Sequence, residues 1–568
     1  MLNIRTCQPL LVFCVLTSGL CVSPILAQSP PKIAYDLQLL PGPVIQVTVT
    51  TKTGDQSSTE LGVIKEWGGI VNDGTDVSDL KIWDTDGNQL QVTVLSATDW
   101  KVDHLANSTL TVRYNVLPKG NREVIRGNDY RTRMDTSLFQ MISRFGLLSP
   151  IKGEEKDEAV ALYRISFSGF REQGWQVMSS FGEGEGTFDY SGTMSEFLHS
   201  VVIAGRFQSL VREISGNRVG IAVVGESWQF TANELADLVS SVVQAERDFF
   251  DDHSDAWYLI TLTPLPQTSP RETSLGGTAL TNAYCLYCTN NFTLSTDSDQ
   301  PMKAVFLLAH EYFHQWNGNK IPSAGEDPDT YWFSEGFTNY FTRKILLRSG
   351  IISKEQYIAD LNQALQAYDA NPLRLAANSE IQSGFWSNYD AERLPYQRGD
   401  MLAVMLDEQI QIRSQGRQSL DDVMLDMLRN PLKDKPTTSK SLFRRLKAYV
   451  DPDTMSRVEA SILAGADVVI PESLSELKLK LAKASMQSFD PGFDVEKSRE
   501  AKKAVGVIVS GNAYQAGLRD GHEIHRFSID SSLSPPIAEL TFIDNGVEKQ
   551  VKYEALGAPY EIRIYSPN

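Results

Sequence analysis

At 568 residues the chain is too long for one hydrophobic core, since single cores rarely grow past about 250–300 residues, so several domains are expected. Its 71 acidic against 53 basic residues leave a formal net charge of −18, which argues against nucleic acid or an anionic membrane surface as a partner. No internal repeat with a period of roughly 20–50 residues and no extended low-complexity tract is present, which excludes solenoid and linker-like organisation.

Residues 1–27 combine Arg5, an apolar stretch around Leu10 to Leu16 and small or turn-prone residues before Ala27-Gln28. This pattern describes a cleaved signal peptide, too short and interrupted to span a membrane. The expected location is therefore periplasmic or secreted, without a transmembrane anchor. Cys7, Cys14 and Cys21 leave with the signal, and Cys285 and Cys288 remain. A zinc knuckle would need a second pair. An oxidising compartment permits a bridge between these two, but residues three apart on a regular strand face opposite sides, so the paired and unpaired states both stay open.

From Ile33 to Arg206 the sequence runs in short alternating stretches, such as Val44 to Val49, Gln91 to Leu95 and Leu110 to Val116, punctuated by Gly, Asn and Asp. An N-terminal β domain over residues 28–206 is expected, with the acidic run Gly153 to Glu158 as a solvated loop. From Phe207 the pattern is mixed. Strands at Gly220 to Val224 and Trp257 to Thr263 flank a helix near Asn233 to Phe250, and helices dominate from Met302 to about Leu463. A mixed α/β domain is placed at 207–470, and strands return over 471–568.

The chemistry is concentrated in His310-Glu311-Tyr312-Phe313-His314. Met302, Val305, Phe306 and Ala309 precede it at helical intervals, with Pro301 at a first-turn position, so the motif lies in a helix. Two imidazoles at i and i+4 reach one ion, and zinc accepts neutral imidazole nitrogens while leaving a position for water beside Glu311. Asn317-Gly318-Asn319 and Pro322 end that helix. A second helix, Tyr331 to Leu347, opens after Asp327-Pro328-Asp329 and closes at Gly350. Near its start lies Ser334-Glu335-Gly336-Phe337-Thr338, where Glu335 is the expected third ligand. Asn339, one turn on, is placed to orient a ligand through its amide.

These motifs resemble the glycyl aminopeptidase-like zinc metallopeptidases of the gluzincin group, relatives of thermolysin and of the larger zinc aminopeptidases. The family's His-Glu-Tyr-Phe-His with following Trp-Asn is His310 to Asn317, broken only by Gln315, and its Ser-Glu-Gly-Phe-Thr is Ser334 to Thr338. The 20 residues between His314 and Glu335 favour this family over the larger aminopeptidases. Gly174-Trp175, Ser179-Ser180-Phe181-Gly182 and Ser195-Glu196-Phe197-Leu198 are similar to the end of its N-terminal β domain. Pro395-Tyr396-Gln397-Arg398-Gly399 is similar to the signature that supplies a phenol to the tetrahedral oxyanion. The resemblance therefore implies Tyr396 in that role, with Tyr389 in reserve and a helix following from Met401 to Arg413.

The strand that binds substrate in such enzymes corresponds to Leu275-Gly276-Gly277-Thr278-Ala279-Leu280-Thr281-Asn282. Gly276 and Gly277 are the expected substrate-binding positions, through main-chain pairing with a peptide. The Glu that holds a free amine in the relatives falls on Ala279 or Thr281, so neither register supplies a carboxylate to offset desolvation of a buried ammonium. Further on, Val505 to Val509 followed by Ala513-x-x-Ala516-Gly517-Leu518-x-x-Gly521 resembles the core of a PDZ domain, which implies a strand, a short helix and a peptide ligand. His522 and His525, three apart on a likely strand, are expected to face solvent or pack rather than bind metal.

The expected fold class is multidomain α+β, with an N-terminal β domain, a thermolysin-like α/β zinc catalytic domain and a C-terminal PDZ-like β domain. The expected function is a Zn²⁺-dependent peptidase acting on a peptide or protein substrate through a metal-activated water, outside the cytoplasm. His310, His314 and Glu335 are the ligands and Glu311 the general base. Two rivals stay open: an aminopeptidase selective for a free N-terminus, and a non-catalytic PDZ-containing binding protein whose active site has degenerated.

Overall fold

The computed structural model describes residues 31–567 except 43, 68–69, 75, 118–130, 151–158, 268–273, 295–301, 323–327, 433–436 and 531–534. The expected signal peptide at 1–27, the acidic run at 153–158, Pro301 and Asp327 lie outside the described residues. The architecture is multidomain α+β with a large sheet-rich N-terminal region. Among the described residues no helix is long and apolar enough to cross a membrane.

Alternation of apolar and polar residues builds the first sheet. Ile33–Leu40 buries Ile33, Tyr35, Leu37 and Leu39 and exposes Asp36 and Gln38, as a half-buried strand must. It pairs antiparallel with Val44–Lys52 on one side and parallel with Ala161–Ser168 on the other, at the centre of a seven-stranded sheet. Phe197, on the short helix Met194–Leu198 capped by Thr193 and Glu196, stacks on Tyr35, Tyr163 and Phe181 at 5.4, 5.1 and 5.1 Å. The Ser195 to Leu198 stretch thus delivers an aromatic plug to the core.

A second, five-stranded sheet containing Leu138–Ile142, Val201–Gly205 and Gln176–Ser179 joins this region to the rest. Ile142, Met178, Val201 and Ile203 share one buried cluster with Ala222, Leu259, Leu280 and Cys285 from another five-stranded sheet. That other sheet runs Gln208–Ile214, Asn217–Val223, Trp257–Pro264, Ala283–Cys288 and Leu275–Leu280, so the Gly-rich strand is its edge. The helix Ala232–Phe250 links two of its parallel strands and packs on the opposite face. Cys285 and Cys288 both lie in the regular strand Ala283–Cys288 and are buried free thiols, as opposed faces require. Burial pushes them up to about 11 and about 12.

The helical part differs from expectation in two places. The helix expected from Tyr331 to Leu347 is divided into Tyr331–Ser334 and Gly336–Arg348, with Glu335 at the joint. The helix expected from Met401 starts earlier and runs Tyr389–Ser414 with Pro395 inside it. Asn388 sets that earlier start by accepting the Asp390 and Ala391 N–H groups through its side chain.

In the C-terminal part, Leu479–Phe489 pairs with Leu556–Pro567, and Asn362 of the helix Lys354–Ala370 bonds both the N–H and the carbonyl of Tyr565. Glu523–Asp530, Ile537–Asp544 and Val547–Glu554 form a separate three-stranded sheet whose Leu540 and Phe542 share a core with Phe493, Ala513 and Leu518. The strand expected over Val505 to Val509 is instead a loop. Its N–H groups turn elsewhere, Val507 to the Asp520 carboxylate at 2.9 Å and Ile508 to the Gly492 carbonyl at 2.9 Å. The short helix expected after it is Asn512–Gln515. His522 stacks on Phe542, and His525 bonds the exposed Glu548.

Candidate active site

The helix Met302–Phe313 lies beneath the Leu275–Leu280 edge strand and carries His310 in its last turn, with His314 just past its end. Glu335 arrives at the joint between the two short helices. The three side chains converge: His310 Nε2 is 3.2 Å from Glu335 Oε2 and 3.2 Å from His314 Nε2, and His314 Nε2 is 3.4 Å from the same carboxylate oxygen. A tetrahedral zinc ion about 2.0–2.1 Å from each donor requires donors about 3.3 Å apart. The donor set therefore fits zinc in both kind and spacing, and it is the one such cluster among the described residues.

The other nitrogens of both rings are engaged, which turns each Nε2 toward the common point. His310 Nδ1 is 2.9 Å from Asn339 Oδ1, and His314 Nδ1 is 2.9 Å from the Asn317 carbonyl. Asn317, fully buried, also donates from its amide to the carbonyls of Phe333 and Ser334 at 3.2 Å and to Thr338 Oγ1 at 3.0 Å. It ties the His pair to the element that brings Glu335. Next to it Trp316 stacks on Phe250 at 4.5 Å and donates to Asp252. The Trp-Asn pair after the motif is thus a clamp, a role that spacing alone did not disclose.

Electrostatics call for a cation here. Burial opposes charge on His314, but the Glu335 carboxylate outweighs it and raises the imidazole to about 9. Burial likewise raises Glu335, yet the two imidazoles overcome it and hold the carboxyl well below its usual range. Glu311 is pushed up, first by burial, while the two imidazoles and the nearby Ala279 backbone pull the other way.

Tyr396 lies in the helix Tyr389–Ser414 with its ring stacked 6.3 Å from that of His310, and burial holds its phenol protonated. Tyr389 is well exposed and outside the cleft, so it is not brought to the site. Gly276, Gly277, Thr278 and Ala279 line the cleft wall, whereas Thr281 does not. A Cβ at Gly277 would fall 2.0 Å from the Tyr284 hydroxyl, so glycine is required there by packing. The cleft holds about 1140 Å³ and is also lined by Trp67 of a two-residue strand, Arg144 of the helix Ser143–Gly146 and His199 just past the helix Met194–Leu198, none of which sequence reasoning singled out. The described edge strand carries no carboxylate, while Glu392 and Asp400 of the helix Tyr389–Ser414 line the cleft from the other side.

The M61 glycyl aminopeptidase family model matches residues 303–397, which contain the base, all three donors and Tyr396. Over those residues the chain is similar to the glycyl aminopeptidase metallopeptidases. Its fold is similar over 94% of its length to 98% of an aminopeptidase N family protein from Idiomarina loihiensis, at TM-score 0.68 and 16% identity. An M1 zinc metallopeptidase from Deinococcus radiodurans bound to a Tyr-Ser-Ala substrate matches 78% of this chain and 94% of that chain, at TM-score 0.48 and 15% identity. No curated protein sequence matches.

Proposed function

We propose that the protein is a zinc peptidase that hydrolyses peptide bonds outside the cytoplasm, exported by residues 1–27. The observation that carries this reading is the spacing of His310, His314 and Glu335, whose donors stand 3.2–3.4 Å apart around one point. Zinc held there supplies Lewis-acid polarisation to a water and to the scissile carbonyl. Glu311 accepts the proton of the attacking water and returns it to the leaving amine, and a carboxylate raised by burial is a stronger base than an exposed one. The Tyr396 phenol donates to the oxyanion. The open edge of Leu275–Leu280 pairs with the peptide main chain, and Gly276 and Gly277 let that chain approach closely.

A catalytic unit at 207–470 is part of the same reading, flanked by an N-terminal β domain at 28–206 and a PDZ-like domain at 471–568. A second reading, an aminopeptidase, is favoured by the glycyl aminopeptidase family match and by the likeness to the Idiomarina aminopeptidase N family protein. Against it stands the edge strand, which carries no carboxylate for an ammonium, although Glu392 elsewhere in the cleft lining is a candidate. A binding protein with a decayed site has no physical need to keep donors, base and phenol together. Digestion of matched free and N-acetylated peptides, with zinc assayed on the same sample, separates the three. Equal cleavage supports the peptidase without N-terminal selectivity, cleavage of free peptides alone selects the aminopeptidase, and no cleavage by zinc-loaded protein leaves the binding protein.

A further inference from the structure

Beside the cleft an aromatic ridge stands in solvent. Trp386 is 64% and Tyr389 69% exposed, although each is a large ring that folding would normally cover. Both connect to the cleft. Tyr331, in the cleft wall, packs edge-on against buried Phe385 at 5.0 Å, and Phe385 against Trp386 at 4.9 Å. Arg393, also in the wall, lies over the Tyr389 ring at 5.3 Å.

The backbone beneath the ridge is fixed. Ser387 and Asn388 donate to the Gly384 carbonyl at 3.0 and 2.9 Å, and Asn388 caps the helix that starts at Tyr389. The preceding helix Asn378–Gly384 is tied by the Asn378 amide to the Asp329 carbonyl at 3.0 Å. Exposed aromatic rings on a fixed backbone are side chains that often anchor binding, because little entropy is lost when they are covered.

We propose that Trp386 and Tyr389 form an outlying docking site for the polypeptide substrate, taking an apolar or aromatic side chain beyond the residues seated at the metal centre. This rests on the peptidase reading and sharpens it: the substrate is an extended oligopeptide or unfolded chain. Two ring-to-ring steps place Trp386 within about 10 Å of Tyr331, a span that about three residues of extended chain cover at ~3.3 Å each. Two aromatic side chains offer at most about 150–250 Å² apiece, far short of the ~800 Å² per partner that a stable protein dimer buries. The ridge therefore suits one segment of peptide leaving the cleft rather than a second copy of the chain.

The test compares full-length zinc-loaded wild type with Trp386→Ala/Tyr389→Ala on dipeptide anilides, free and blocked, and on decapeptides in which a single Phe is moved along the sequence. For decapeptides with Phe at the matching distance KM should rise about tenfold or more, with kcat within about twofold and anilide kinetics unchanged. Trp386→Phe/Tyr389→Phe should recover most of the affinity. Equal KM on every decapeptide would overturn the site, as would a parallel loss on the anilides or dissociation of a wild-type dimer by the double substitution. Fluorescence anisotropy of a labelled decapeptide reads docking even if wild type cleaves nothing. In that case the peptidase reading fails, while tight binding lost in the double variant still supports the ridge and equal binding removes it.

Discussion

Gly336 and Gly399 meet backbone to backbone: a Cβ on Gly336 would lie 2.3 Å from the Gly399 Cα, and one on Gly399 would lie 1.8 Å from the Trp332 carbonyl oxygen. This crossing joins the helix that follows Glu335 to the helix that carries Tyr396, so the third donor and the phenol are placed by one contact. Below it Arg343 grips Asp400 and Lys344 grips Asp407 between the same two helices, all four side chains buried. Gly399→Ala should destabilise by about 3 kcal/mol, because neither backbone can withdraw. Thermal or urea unfolding measures it, with peptide hydrolysis falling in parallel below the shifted Tm.

Glu311→Gln keeps the shape of the side chain and removes its basicity. Zinc content and Tm should stay near wild type while kcat falls by about 10²–10⁴. Full activity in that variant would remove Glu311 from the proton transfer.

Asn339→Ala deletes the acceptor for His310 Nδ1 and leaves all three donors in place. Zinc affinity, measured by competition with a chelator, should weaken about 10- to 100-fold. An unchanged affinity would mean that the ring is oriented by packing alone.

Glu246 is buried against the helix bearing the metal motif, with neither carboxylate oxygen bonded among the described residues. Burial raises its pKa well above the ordinary carboxylate value. A carboxyl raised in the folded state contributes stability that is complete below its unfolded pKa near about 4.3 and is lost as pH rises toward the folded value. Glu246→Met should therefore raise stability by about 1–3 kcal/mol at pH 8, and the gain should shrink toward pH 4. Denaturant unfolding at the two pH values checks both parts.

The donors were legible because their information is local: His310 and His314 share a helix face, and Glu335 opens the next helical pattern. Tyr396 was legible through its motif, but not its setting in a helix interior. Pro395 and Gly399 are stop signals read alone, yet the Asn388 cap and the contact with Gly336 carry the helix through both. The apolar run at Val505 to Val509 looks like a strand by composition, and becomes a loop because Asp520 and Gly492 take its N–H groups. This part of the cleft lining was invisible, since nothing in the spacing of Trp67, Arg144 or His199 ties them to a motif near residue 310. Their place is set by contacts far apart in sequence: Trp67 packs on His199 and under Arg144, and the His199 carbonyl accepts the Thr281 N–H.

Bound zinc per chain, measured in wild type and in Glu335→Ala after identical dialysis, bears most directly on the metal site at the centre of this account. About one ion per wild-type chain, with loss of both metal and hydrolysis in the variant, is the predicted result. Peptide hydrolysis by metal-free wild type, or undiminished zinc in Glu335→Ala, would contradict it.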